Sequence, residues 1–116
     1  MPANLKKLPA VFFRSANGVE PVREWLRDEL SPEERKVVGK DIAVVEYGWP
    51  IGMPTCRPLG AGLFEVRSDL PGNRIARVLC CAADGRLVLL HGFIKKTRTT
   101  PAADLAIGRA RQKDVA

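Results

Sequence analysis

Two turn signals, Pro71-Gly72-Asn73 and Asp84-Gly85, restrict what the middle of this chain can become. They divide residues 62–96 into three runs: Gly62-Leu-Phe-Glu-Val-Arg67, Arg74-Ile-Ala-Arg-Val-Leu-Cys-Cys81 and Arg86-Leu-Val-Leu-Leu-His-Gly-Phe-Ile-Lys-Lys96. The first alternates polar with apolar residues, and the other two carry longer apolar stretches. Strand-like runs separated by short turns of this kind predict a three-stranded antiparallel meander. Arginines and lysines lie inside these strands or just off their ends. A sheet serving only as a core would not need them there.

A meander needs a cover, and the preceding residues supply one. Val11-Phe12-Phe13 predicts a first strand, ended by Asn17-Gly18. Pro21 suits a first helical turn, where its missing N–H costs nothing. Val22, Trp25, Leu26 and Leu30 then recur at helical spacing, so a helix is predicted from Pro21 to Leu30. Ser31-Pro32-Glu33-Glu34 starts another, with Ser31 as cap and Glu34 completing a capping box. Val37, Val38, Ile42, Val44 and Val45 give it an apolar face, and Tyr47-Gly48 with Pro50 beyond ends it. Two helices joined this closely form a hairpin whose apolar stripe must be buried, and the meander is the available surface. Pro50 to Gly62 reads as an irregular connector with a short edge segment at Thr55–Leu59. After the meander, Pro101 opens a last helix over Ala102–Gln112, with Thr100 as its expected cap and a basic, exposed end at Arg109–Lys113. The expected fold class is α+β: an N-terminal strand and helical hairpin packed on an antiparallel meander, plus a C-terminal helix. Residues 1–116 are expected to form one domain.

Composition narrows the function classes. The chain is 46% hydrophobic and 28% charged, ordinary for a folded globule. No apolar run reaches the ~20 residues of a membrane span, and the N-terminus lacks a signal-like apolar core, so a cytoplasmic location is expected. Cys56, Cys80 and Cys81 have no CxxC spacing and there is one histidine, so zinc is not expected. The cysteines read as small apolar residues in a reducing compartment. Nineteen Lys+Arg against 13 Asp+Glu give a net charge of +6, which favours an anionic partner.

The chain contains no Walker loop, GxGxxG, HExxH or GxSxG motif. Any serine or cysteine triad would have to use His91, which lies mid-strand among leucines and reads as structural. Glu65 shares a strand face with Arg67, and an ion pair accounts for it. The remaining candidates are cations: Arg57, Arg67, Arg74, Arg77, Lys95, Lys96 and Arg98. With the hairpin over Phe64 and Val66, Arg67 falls on the opposite face. Arg74 and Arg77 differ by three positions, so only one joins it, and the turn register decides which. Likewise one of Lys95 and Lys96 reaches that face. Arginine forks bind phosphate oxygens bidentately, and a cation cluster can stabilise a pentavalent phosphorane. A lysine crowded by arginines gives up its proton more readily and can act in acid–base steps. A solvated strand face, salt-bridged to Glu65, Asp69 and Asp84, accounts for the same residues.

Three segments in order carry a resemblance: Arg57-Pro-Leu-Gly-Ala-Gly-Leu-Phe-Glu-Val-Arg67, Asn73-Arg-Ile-Ala-Arg77, and Leu87-Val-Leu-Leu-His-Gly-Phe-Ile-Lys-Lys-Thr97 followed by Thr100-Pro101 and a basic helix. The chain resembles RelE/ParE-superfamily toxins of bacterial type II toxin–antitoxin systems, in particular the phage-derived HigB-like branch. The resemblance spans roughly Val11 to Lys113. It implies a ribosome-dependent, metal-independent mRNA endoribonuclease that works by 2′-OH attack and needs no cofactor. By position it implies catalytic roles for Arg67, Arg74, Lys95 and Lys96, and it puts Arg57 near the basic residues of the preceding loop, where a general base can sit; Arg57, Arg77 and Arg98 are expected to contact RNA. It implies mRNA, the ribosome and a cognate antitoxin, of helix-turn-helix type, as partners. Members that place a tyrosine or histidine near the C-terminus differ from this chain, whose only tyrosine is Tyr47. The leaving-group acid would then be Lys95 or Lys96. ParE relatives share the fold and inhibit DNA gyrase, so the alternative is a non-catalytic, protein-binding toxin of that type or a catalytically decayed protein that only binds its antitoxin.

Overall fold

The computed structural model describes residues 5–52, 54–95 and 99–115. The elements run β1 (Ala10–Phe12), α1 (Pro21–Glu29), α2 (Pro32–Gly48), β2 (Cys56–Gly60), β3 (Leu63–Leu70), β4 (Arg74–Ala83), β5 (Arg86–Lys95) and α3 (Ala102–Val115). One five-stranded sheet has the order β1-β5-β4-β3-β2. The meander β3-β4-β5 is antiparallel and β2 extends it at one edge. β1 closes the other edge parallel to β5, a pairing that alternation alone did not reveal. The fold is α+β with a C-terminal helix, as expected. α3 runs three residues past the expected end at Gln112.

Local chemistry explains the boundaries. Asp84 and Gly85 both take positive φ, 51° and 71°, between paired Ala83 and Arg86. That is the two-residue turn whose twist matches the flanking strands. Pro71, Gly72 and Asn73 form a three-residue turn between Leu70 and Arg74, again with positive φ at Gly72 and Asn73. At the start of α2 the Ser31 hydroxyl accepts from the Glu34 N–H (3.2 Å), and the Glu34 carboxylate accepts from the Ser31 N–H (2.9 Å). This is the full capping box. The end of α1 is held from α2. Arg35 Nη1 donates to the carbonyls of Leu26, Arg27 and Leu30, at 3.3, 3.1 and 3.1 Å. A cation there satisfies orphan carbonyls and opposes the helix dipole.

The sheet has two covered faces. The helical hairpin brings Val22, Val38, Ile42 and Val45 onto Val66, Ala76, Val78, Cys80, Leu87 and Leu89. On the other face Leu63, Leu79, Cys81, Val88, Leu90 and Phe93 pack with Leu105 and Val115 of α3. Gly92 allows α1 to approach β5: a methyl group there would lie within 2.7 Å of three atoms of the Trp25 ring. The β1 edge is covered by Glu46 of α2, whose buried carboxylate accepts from the Ala10 N–H at 2.6 Å and pairs with Lys6 at 3.1 Å. The three cysteines are buried and unbridged, and burial pushes their thiol pKa values up. No described helix is long and apolar enough to cross a membrane.

Candidate functional site

Strand register decides which cations meet. Arg57, Glu65, Leu79 and His91 lie opposite one another across β2, β3, β4 and β5. The next row holds Arg67, Arg77 and Phe93, and the row beyond it Asp69, Ile75 and Lys95. Directly paired residues point to one side of a sheet, so Arg57, Glu65, Arg67, Arg77 and Lys95 share the α3 face. The turn places Arg77, not Arg74, beside Arg67. Arg74 pairs with Leu70 on the hairpin face, where its guanidinium bonds the Glu34 carboxylate and the Pro71 carbonyl (3.1 Å). Lys95 is the member of the lysine pair found on the cation face, and it is exposed. Lys96 and Arg98 lie outside the described residues.

The cations differ in burial. Glu65 and Arg77 have no exposed side-chain surface, whereas the Arg67 side chain is 20% exposed. Arg77 Nη1 donates to the Thr99 carbonyl (2.9 Å) and stands 3.9 Å from Glu65 Oε2. The expectation that Arg77 touches RNA therefore meets a side chain turned wholly inward. Burial pushes the Arg77 pKa down; Glu65 pulls it back up, and Arg67 and Arg57 add to the depression. Glu65 Oε2 accepts the Thr100 hydroxyl at 2.6 Å. Thr100, expected to cap α3, thus spends its hydroxyl on the sheet. Glu65 Oε1 lies 3.7 Å from Arg67 Nε, an ion contact beyond hydrogen-bond range.

The C-terminal helix is a lid over much of this face rather than an exposed basic tail. Arg109 donates to the Leu59 and Gly60 carbonyls, Gln112 to Ala61 and Arg111 to Leu90, all at 2.7–2.8 Å. Lys113 is exposed. His91 Nε2 is 2.8 Å from Asp104 Oδ1, its Nδ1 is 3.4 Å from Arg111, and its ring stacks on Phe93. With Arg111 donating to Nδ1, the ring proton sits on Nε2 and is given to Asp104. His91 is therefore part of the seam that seats α3. Among the described residues no group of three or more His, Cys, Asp or Glu could hold a metal ion. Sequence reasoning paired Glu65 with Arg67, as the structure does, and missed the contacts of Glu65 with Arg77 and Thr100 and of Arg77 with Thr99. The available signal was an acid at a strand position whose alternation partner, Leu63, is apolar.

The stretch of chain that builds this face has a match among known families. Residues 24–113 match the family described as "Phage derived protein Gp49-like (DUF891)". The chain belongs to the Gp49-like family. This phage-derived, toxin-like family is part of the RelE/HigB-like toxin superfamily, and membership implies a cognate antitoxin. The match begins inside α1 and ends inside α3, so it includes every residue of the cation face. None of the curated proteins matches the chain.

Proposed function

We propose that this Gp49-like protein is the toxin of a type II toxin–antitoxin system and cleaves messenger RNA on the ribosome, in the manner of the HigB-like branch. The observation that carries the reading is the exposure of Arg67. Of Glu65, Arg67 and Arg77, only Arg67 reaches the surface, and its buried Nε has no hydrogen-bond partner among the described residues. Arg77 answers the charge of Glu65 from within, which leaves Arg67 able to offer its positive charge to a phosphodiester.

The reaction needs no external nucleophile. The ribose 2′-OH attacks the adjacent phosphorus, and the P–O5′ bond breaks as the new P–O2′ bond forms. A proton leaves the 2′-oxygen and one is delivered to the 5′-oxygen, giving a 2′,3′-cyclic phosphate and a 5′-hydroxyl end. Arg67 is assigned to the charge that develops on the non-bridging oxygens, where preorganised donors lower the barrier most. Lys95 stands one strand row beyond, on the same face, and is assigned to proton transfer. Arg57, with Arg98, is assigned to flanking RNA. Arg74, engaged on the hairpin face, is left out of the chemistry. Induced expression tests the reading. Transcripts should be cut within translated frames, and Arg67→Ala should abolish both the cuts and growth arrest. Intact transcripts with a DNA-damage response would instead indicate the gyrase-directed alternative.

A further inference from the structure

Glu65 is the unexpected residue of the cation face. Its strand neighbour Leu63 and its partner on β4, Leu79, are apolar and fully buried, while its partner on β2 is Arg57. An apolar residue would pack at position 65 without the cost of taking a carboxylate out of water. The carboxylate nevertheless sits there, and its two oxygens are treated unequally. Oε2 is fixed by the Thr100 hydroxyl and faced by Arg77. Oε1 has no hydrogen-bond partner among the described residues, and neither has Arg67 Nε, 3.7 Å away. An unused buried acceptor and an unused buried donor thus stand less than 1 Å too far apart to bond. The nitrogens at the far end of the same guanidinium belong to the one side chain of the three that reaches solvent.

We propose that Glu65 is a positioning residue: Thr100 and Arg77 fix its carboxylate, and Glu65 fixes the Nε end of Arg67, so that the Nη nitrogens meet the scissile phosphodiester. The proposal rests on the endoribonuclease reading above. Contacts of this kind are often long without substrate and shorten in the complex. RNA drawing on the Nη nitrogens closes the 3.7 Å gap into an Nε–H···Oε1 bond, and the arginine then bridges carboxylate and phosphate with both edges of its fork.

Glu65→Gln separates positioning from packing. The amide keeps the shape and an oxygen that accepts from Thr100, and it removes the charge. Cleavage of a synthetic message on purified ribosomes is measured for wild type, Glu65→Gln, Arg67→Ala and the double variant. The expected result is a fall in kcat of about ten- to a hundredfold for Glu65→Gln, with KM nearly unchanged. The double variant should be no slower than Arg67→Ala alone, because the two residues act as one unit. Full activity in Glu65→Gln, or losses that multiply in the double variant, would overturn the proposal. Should Glu65→Gln fail to fold, Thr100→Val must lower kcat in the same way and Thr100→Ser must restore it. The ¹⁵N–¹H resonance of Arg67 Nε gives a readout independent of cleavage. In wild type it should move downfield when an RNA fragment carrying a 2′-deoxy nucleotide at the cut site binds, and an unmoved resonance contradicts the proposal. A wild-type protein that cuts no message removes the enzymatic reading alone. The same resonance, compared between wild type and Thr100→Val, then still decides whether Glu65 fixes Arg67: identical spectra overturn it.

Discussion

Arg67 and Arg77 are strand partners of the same residue type, yet their surroundings give them different work. Arg77 has no exposed surface and answers a carboxylate that has none either. Removing one partner of such a pair strands the other charge out of water. Arg77→Met should therefore cost about 3–5 kcal/mol of stability, read from urea unfolding. Arg67→Ala leaves the Arg77–Glu65 pair in place and relieves like-charge crowding at Arg77, so it should change stability by less than about 1 kcal/mol. The reverse ranking would mean that Arg67, not Arg77, is the internal counter-charge.

At the scale of elements, two of the points that join the hairpin to the sheet can be probed by single substitutions. One is Gly92 under Trp25. Gly92→Ala places a methyl group against the indole ring, and overpacking of this sort should cost about 1–3 kcal/mol, measured by thermal or urea unfolding. The other is Glu34, bonded both to the Ser31 N–H and to Arg74 at the end of the β3–β4 turn. The Ser31 N–H first, and Arg74 second, hold its carboxyl below the usual glutamate range. A lowered folded-state pKa stabilises fully above the ordinary value of about 4.3, and that contribution disappears as pH falls through the lowered value. Glu34→Gln should therefore be less stable than wild type at neutral pH, with the gap closing as pH falls through the lowered Glu34 pKa. A gap that stays constant with pH would separate Glu34 from any charge-dependent role.

The hairpins, the capping box and the helix pair could be read from the sequence because each depends on residues adjacent in the chain. Asp84-Gly85 determines its own turn, and Ser31 with Glu34 determines its own helix start. The site depended on register and on long-range packing. The length of the turn at residues 71–73 placed Arg77 beside Arg67 and turned Arg74 away. A bulge opposite Leu79 and Cys80 adds Leu90 to β5, and Leu90 and Phe93 consequently pack on the same α3 side although strict alternation separates them. The inward donors Arg109, Arg111 and Gln112 resemble any basic helix end in sequence, since their acceptors lie 21 to 51 residues away.

Taken whole, the molecule is a sheet with one face under a helical hairpin and the other mostly under α3. Its cations are thereby divided between an interior pair and an exposed rim. The +6 charge suits RNA, the ribosome and an acidic antitoxin alike, and sets on-rate more than target. In the reading proposed above, the arrangement around Arg67 selects phosphodiester chemistry among them. The most direct test is to map transcript 5′ ends across the cell after brief induction of wild type and of Arg67→Ala at matched protein levels. The account predicts new 5′-hydroxyl ends within translated frames for wild type and none for Arg67→Ala. Transcripts left whole by the wild-type protein, or cut equally by Arg67→Ala, would contradict it.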